Sequence, residues 1–276
     1  MKHWRMENLD WDSFDPSRVD PGLIPAIRAA SVVERNSVDY AIYLNHVFSD
    51  DPDFQEAVDN WAVEEVQHGD ALGRWAMLAD SSWNYPEAFE RYREKFRIDL
   101  DTTDSVRGSR AGELIARCMV ETGTSSFYSA LADSTEEPLL KAICRQIAAD
   151  EYRHFKLFYD HMHRYLRREK LGTLTRARIA IGRVAESEDD ELASAYYTTN
   201  LPPSVPYDRK SCISAYMAST LSVYRRKHLD RATGMILKTI GLRPHGRLHD
   251  WACSVAYFLI RRRLQVSFRQ VEHAPV

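Results

Sequence analysis

The chain of 276 residues has four cysteines, Cys118, Cys144, Cys212 and Cys253, and no two of them stand in a Cys-x-x-Cys pair. That excludes a rubredoxin-type iron site and fits a reducing compartment. Long apolar runs are missing as well. The longest late one, Trp251 to Ile260, is too short to span a bilayer and leads into Arg261-Arg262-Arg263. Met1 to Asp15 is rich in charge and tryptophan and has no stretch resembling the apolar part of a signal peptide. A cytoplasmic protein with no membrane segment is the expectation. There is no strand alternation of useful length, no solenoid repeat, and no flavin or pyridine-nucleotide fingerprint.

What is present is helical periodicity. With 44% apolar residues, the chain can bury a substantial core. A first helix is expected from about Ile24 to Phe48, with Ile27, Ser31, Val38, Ala41 and Ile42 on the face of Glu34. A second starts at Asp51-Pro52 and runs to about Ala79, with Val58, Trp61, Glu65, His68 and Leu72 on one stripe. Asp80 to Arg107 reads as a crossover containing one short helix. A third helix, about Ser109 to Ala132, aligns Leu114, Cys118, Glu121, Ser125 and Tyr128. The fourth opens with a capping box at Ser134 and aligns Leu140, Ile147, Glu151, His154, Phe158 and Met162. Further helices are expected at about 172–187, 208–228 and 246–267. The fold class is therefore all-α, a single domain over 1–276 with a four-helix core at 21–168 and a helical extension at 169–276.

Two tetrads carry the chemistry: Glu65-Val66-Gln67-His68 and Glu151-Tyr152-Arg153-His154. A helix sets positions i and i+3 side by side, so each tetrad offers a carboxylate and an imidazole to one metal ion. One Glu-x-x-His means little, because composition alone predicts roughly 0.7 of them in such a chain. The conjunction is specific. Glu34 precedes Glu65 by 31 residues and Glu121 precedes Glu151 by 30, each in its own apolar helix. Two glutamates plus two such pairs on four helices are the donor set of a carboxylate-bridged di-iron bundle, with Glu34 and Glu121 as the bridging carboxylates. Asp150 is placed to accept a hydrogen bond from a ligand imidazole. Glu64 is expected to face solvent or a basic group, and Glu113 to pair with Arg117. Trp61 and Tyr128 read as core residues or as electron relays, and His46, His161 and His163 as candidate extra ligands.

Trp-Ala-Val-Glu-Glu-Val-Gln-His-Gly-Asp-Ala-Leu at 61–72 and Ile-Ala-Ala-Asp-Glu-Tyr-Arg-His at 147–154 resemble the soluble acyl-[acyl carrier protein] desaturases of the ferritin-like di-iron superfamily. The resemblance covers roughly residues 25–165, and its second motif is shared with rubrerythrins. It implies a ferritin-like bundle, with Glu34, Glu65, His68, Glu121, Glu151 and His154 as iron ligands and Thr124 beside the oxygen-binding face. Gln67 and Tyr152 depart from the family, which has Arg and a charged residue there. The implied activity is O₂-dependent desaturation or hydroxylation of an acyl chain or another hydrophobic substrate, free or carrier-bound, with two Fe ions as cofactor. Electrons would come from a ferredoxin or reductase. Alternatives in the same superfamily are N-oxygenation, tRNA hydroxylation, and iron storage or peroxide scavenging.

Charge is divided unevenly. Residues 1–162 hold 17 basic and 30 acidic side chains, and residues 163–276 hold 20 and 10. The basic tract from Arg164 to Arg183 is a solvated surface, a homodimer contact, or a docking face for an acidic carrier. It lacks the aromatic and glycine interleaving of RNA modules, so a nucleic-acid partner is not expected.

Overall fold

A computed structural model describes residues 4–186 and 190–272, with side chains to residue 268. Within them the chain is an all-α helical bundle with no strand. Four elements form the core: α1 (Ile24–Arg35) continued by α2 (Ser37–Val47), then α3 (Pro52–Ala79), α5 (Arg110–Ser134) and α6 (Pro138–Glu169), with α4 (Tyr85–Lys95) inside the crossover between α3 and α5. The extension comprises α7 (Thr173–Ala185), α8 (Asp190–Asn200), α9 (Arg209–Leu221), α10 (Arg226–Ile240) and α11 (Arg247–Glu272).

The helix starts follow local chemistry. Asp51 accepts from the Phe54 amide ahead of Pro52, and Ser109 accepts from the Gly112 amide. The expected capping box at Ser134 does not form, because Ser134 ends α5. Glu137 caps α6 instead, its carboxylate accepting from the amides of Leu139 and Leu140. The single first helix is also corrected: it breaks at Asn36 (φ −77°, ψ 2°), which resets the helical phase. Glu34, Ile27, Ser31 and Ala41 are buried as expected, whereas Val38 and Ile42 beyond the break are exposed. In the extension, 208–228 is not one helix; α9 stops at Leu221 and α10 begins at Arg226, and α8 was not foreseen.

Two apolar clusters fill the bundle, and the metal-type residues form the layer between them. Val58 and Trp61 (α3), Leu114 and Cys118 (α5), and Phe155 and Phe158 (α6) belong to one cluster. Ile27 (α1), Leu72 and Trp75 (α3), Leu131 (α5), and Ile143 and Ile147 (α6) belong to the other. Along each helix the charged residues fall where one cluster gives way to the next. Gly69 lets α1 and α3 approach there: a Cβ at this position would lie 2.6 Å from the Ser31 carbonyl oxygen and 2.7 Å from the Arg35 nitrogen. The extension does not stand apart from this core. α8 and α9 pack on α1, and α7 and α10 pack on α5.

Candidate metal centre

All six expected residues converge. Glu34, Glu65, His68 and Glu151 offer ligand atoms within 4.8 Å of one another, and so do Glu65, Glu121, Glu151 and His154. All six are buried. Glu65 and Glu151 belong to both sets, whereas Glu34 and Glu121 belong to one each. The pair common to both sets is thus the tetrad glutamates, not Glu34 and Glu121, which were expected to bridge. The reason is geometric. Each tetrad glutamate projects from a helix at the α3–α6 contact and reaches both positions.

The imidazoles share one orientation. His68 Nδ1 lies 3.3 Å from Glu65 Oε2 and 3.1 Å from Glu151 Oε1, while its Nε2 lies 3.0 Å from Asp150 Oδ2. His154 Nδ1 lies 2.9 Å from Glu65 Oε1, and its Nε2 lies 2.9 Å from Glu64 Oε2. In both, Nδ1 faces the carboxylate layer and Nε2 is held from outside, the arrangement that fixes the tautomer of a ligand histidine. Asp150 lies within hydrogen-bond distance of an imidazole, that of the opposite tetrad. Glu64 is the residue the sequence reading undervalued. It precedes Glu65 as Asp150 precedes Glu151, so the acidic residue before each Glu-x-x-His was the available signal. Arg153 hydrogen-bonds to Asp150 and lies 3.1 Å from Glu64, tying the two outer carboxylates together.

The amino-terminal segment closes the His68 side. Trp4 donates its indole N–H to Asp150 at 2.7 Å and stacks on His68 at 6.0 Å between ring centroids. Gln67, where the desaturase motif has arginine, donates to the Trp4 carbonyl oxygen. The Tyr128 hydroxyl donates to Glu34, and Thr124 donates to Glu151 while also bonding back to its own helix. Three expected extras fall elsewhere: His46 contacts the Leu100 carbonyl, His161 contacts Arg164, and His163 packs on Tyr159. Glu113 accepts from Tyr43 and Ser105, so the expected Glu113–Arg117 pair does not form among the described residues.

Burial and mutual repulsion push Glu34 and Glu121 well above the usual carboxylate range. Burial also opposes charge on Glu65, but His154 and His68 outweigh it and hold Glu65 well below that range. The histidines answer in kind. Desolvation disfavours their charge, yet Asp150, Glu151 and Glu65 raise His68 well above its ordinary value, and Glu65 with Glu64 lifts His154 to about 9. Without cations, protons neutralise this layer. Both carboxylate oxygens of Glu121 are buried with no hydrogen-bond partner. Buried acceptors in this state fit cations that take their lone pairs, and an oxygen-plus-imidazole donor set suits first-row transition metals.

A cavity of about 60 Å³ adjoins the layer. Its lining includes all four glutamates of the cluster and neither histidine; Ser37, Thr124, Trp61, Tyr40, Arg117, Arg183 and Glu191 contribute the rest of its polar wall. The site thus has a face closed by hydrogen bonds and a face with free space.

Residues 32–181 match the family model described as fatty acid desaturase, more than half of the chain. The chain belongs to the fatty acid desaturase family. No individual curated protein matches it. The match spans every residue of the cluster and ends just before Arg183 and Glu191. Family membership and the buried carboxylate–histidine cluster together indicate a desaturase-like oxidoreductase with a site able to hold metal. Among the described residues no helix is long and apolar enough to cross a membrane.

Proposed function

We propose that this protein is an O₂-dependent di-iron oxidoreductase of the ferritin-like type that desaturates or hydroxylates an acyl chain or another hydrophobic substrate, free or on a carrier protein. One observation carries the reading: two four-residue ligand sets that share Glu65 and Glu151. Glu34, Glu65, His68 and Glu151 would hold one ion and Glu121, Glu65, Glu151 and His154 the other. When bound, the iron pair supplies the reduction of O₂ that makes an unactivated C–H bond reactive. Desaturation consumes O₂, two electrons and two protons, with two hydrogens from the substrate, and yields an alkene and two waters. Hydroxylation uses the same O₂, electrons and protons and yields an alcohol and one water. No flavin or nicotinamide fingerprint is present in the chain, so a separate ferredoxin or reductase supplies the electrons.

The protein's own part is positioning and exclusion. Asp150 and Glu64 hold the two Nε2 atoms, leaving each Nδ1 directed at the carboxylates. Thr124, on the cavity wall and bonded to Glu151, is the hydroxyl placed to pass a proton to the open face. The apolar clusters above and below the layer keep bulk water from the reacting atoms.

Elemental analysis of purified protein should give about two irons per chain, with Mn and Fe measured together to identify the pair. Oxygen uptake with a reductant and acyl substrates, followed by mass spectrometry, should show products lighter by two hydrogens or heavier by one oxygen. Absence of bound transition metal after anaerobic iron loading, or uptake that neither acyl nor other hydrophobic substrates stimulate, would refute the proposal.

A further inference from the structure

The cavity beside the cluster has one wall that the metal layer does not explain. Arg117 is 6% exposed, with its guanidinium over the Tyr40 ring at 4.8 Å, and among the described residues it makes no hydrogen bond or ion pair. Trp61 lines the same space, and its buried indole N–H also has no partner. Each stands four residues before a cluster glutamate, Arg117 before Glu121 and Trp61 before Glu65. One helical turn, about 5.4 Å, thus separates these donors from the metal layer. Arg183 of α7 adds a second cation that likewise has no hydrogen bond or ion pair among the described residues. Glu191, also in the lining, accepts from the Tyr40 hydroxyl at 2.9 Å.

Arginine and the indole N–H only donate. Glu121 offsets part of the Arg117 charge through space, but a buried guanidinium that hydrogen-bonds to no anion carries a desolvation cost, and so does a buried donor without an acceptor. Both residues line one cavity of about 60 Å³, far smaller than the roughly 300–1,000 Å³ pockets that enclose drug-sized ligands. A compact acid group fits such a space.

Resting on the oxidoreductase reading above, we propose that the substrate carries a free carboxylate and that Arg117, aided by the Trp61 N–H and by Arg183, binds it in this cavity. The C–H bond attacked then lies within a few carbons of the acid. Arg117 is accordingly a specificity residue, and two of the residues that shape its pocket, Arg183 and Glu191, lie outside the span matched by the family.

Calorimetric titration of the purified protein with hexanoate and with hexanamide, its neutral counterpart, tests this without turnover. Hexanoate should bind at least about tenfold more tightly than hexanamide. Arg117→Gln should remove that preference with iron content unchanged, Arg117→Lys should restore part of it, and Arg183→Gln should reduce it by a smaller factor. Equal binding of the two probes by the wild-type protein, or neither binding, overturns the inference whether or not the variants fold. So does Arg117→Gln that keeps the preference, which would leave Arg117 only to balance the charge of Glu121. Hexanoate preference in a protein that takes up no iron would refute the proposed oxidation and leave this pocket standing; two irons with no preference would do the reverse.

Discussion

The two halves of the cluster are built from the same residue types and finished differently. Around Glu34 and His68 the hydrogen bonds are complete: Tyr128 donates to Glu34, and Asp150 holds His68 under the Trp4 indole. Around Glu121 and His154 they are not. Neither oxygen of Glu121 has a hydrogen-bond partner, and the outer carboxylate on His154, Glu64, is 20% exposed where Asp150 is 3% exposed. Sequence symmetry gave each half a glutamate and a Glu-x-x-His pair. The difference comes from what packs outside, and it leaves one half with its polar atoms paired and the other with unsatisfied acceptors.

The largest effect expected is on the residues common to both halves. Glu65→Ala or Glu151→Ala removes a donor from both sets, so bound iron should fall from about two per chain to below about one by elemental analysis. Retention of two irons in either variant would break the shared-ligand assignment. Glu34→Ala and Glu121→Ala come next, each leaving about one iron per chain. They should differ in stability. Glu34→Ala leaves the buried Tyr128 hydroxyl without its acceptor and should lower metal-free stability by about 1–3 kcal/mol in denaturant titration, a penalty Glu121→Ala lacks.

The outer carboxylates sharpen the contrast further. Asp150→Asn should weaken metal affinity by about 10–100-fold, and Glu64→Gln should fall at the low end of that range because Glu64 is partly hydrated. Competition against a chelator measures both, and equal losses would show that Trp4 and burial add nothing on the His68 side. The smallest effect is a pH slope. Desolvation opposes protonation of His154, but Glu65 and Glu64 outweigh it and hold its pKa near 9, against about 6.5 unfolded. The folded metal-free chain therefore retains a proton that the unfolded chain releases. This stabilisation is complete below about pH 6.5 and is lost as pH rises through about 9. Thermal melting of chelator-treated protein should fall across that window, and metal-loaded protein should not show the same slope.

Much of this was legible in the sequence because helical periodicity and ligand spacing are local. The stripes through Glu65, Glu121 and Glu151 needed only the 3.6-residue repeat, and all of their apolar members are buried. What was not legible depends on distant contacts. The break at Asn36 is invisible to a pattern that continues through it, so Val38 and Ile42 were set on the wrong face. The shared role of Glu65 and Glu151 depends on how α3 and α6 meet, which spacing along one chain does not encode. Trp4 lies 146 residues from its partner Asp150, and no periodicity links them. Glu64 was within reach, since both tetrads are preceded by an acidic residue that holds the opposite histidine.

Anomalous diffraction at the iron edge from crystals of the iron-loaded protein tests the central claim most directly. The account predicts two peaks about 3.5–4 Å apart, with Glu65 and Glu151 spanning both, Glu34 and His68 on one, and Glu121 and His154 on the other. A single peak, or a pair bridged by Glu34 and Glu121, would contradict it.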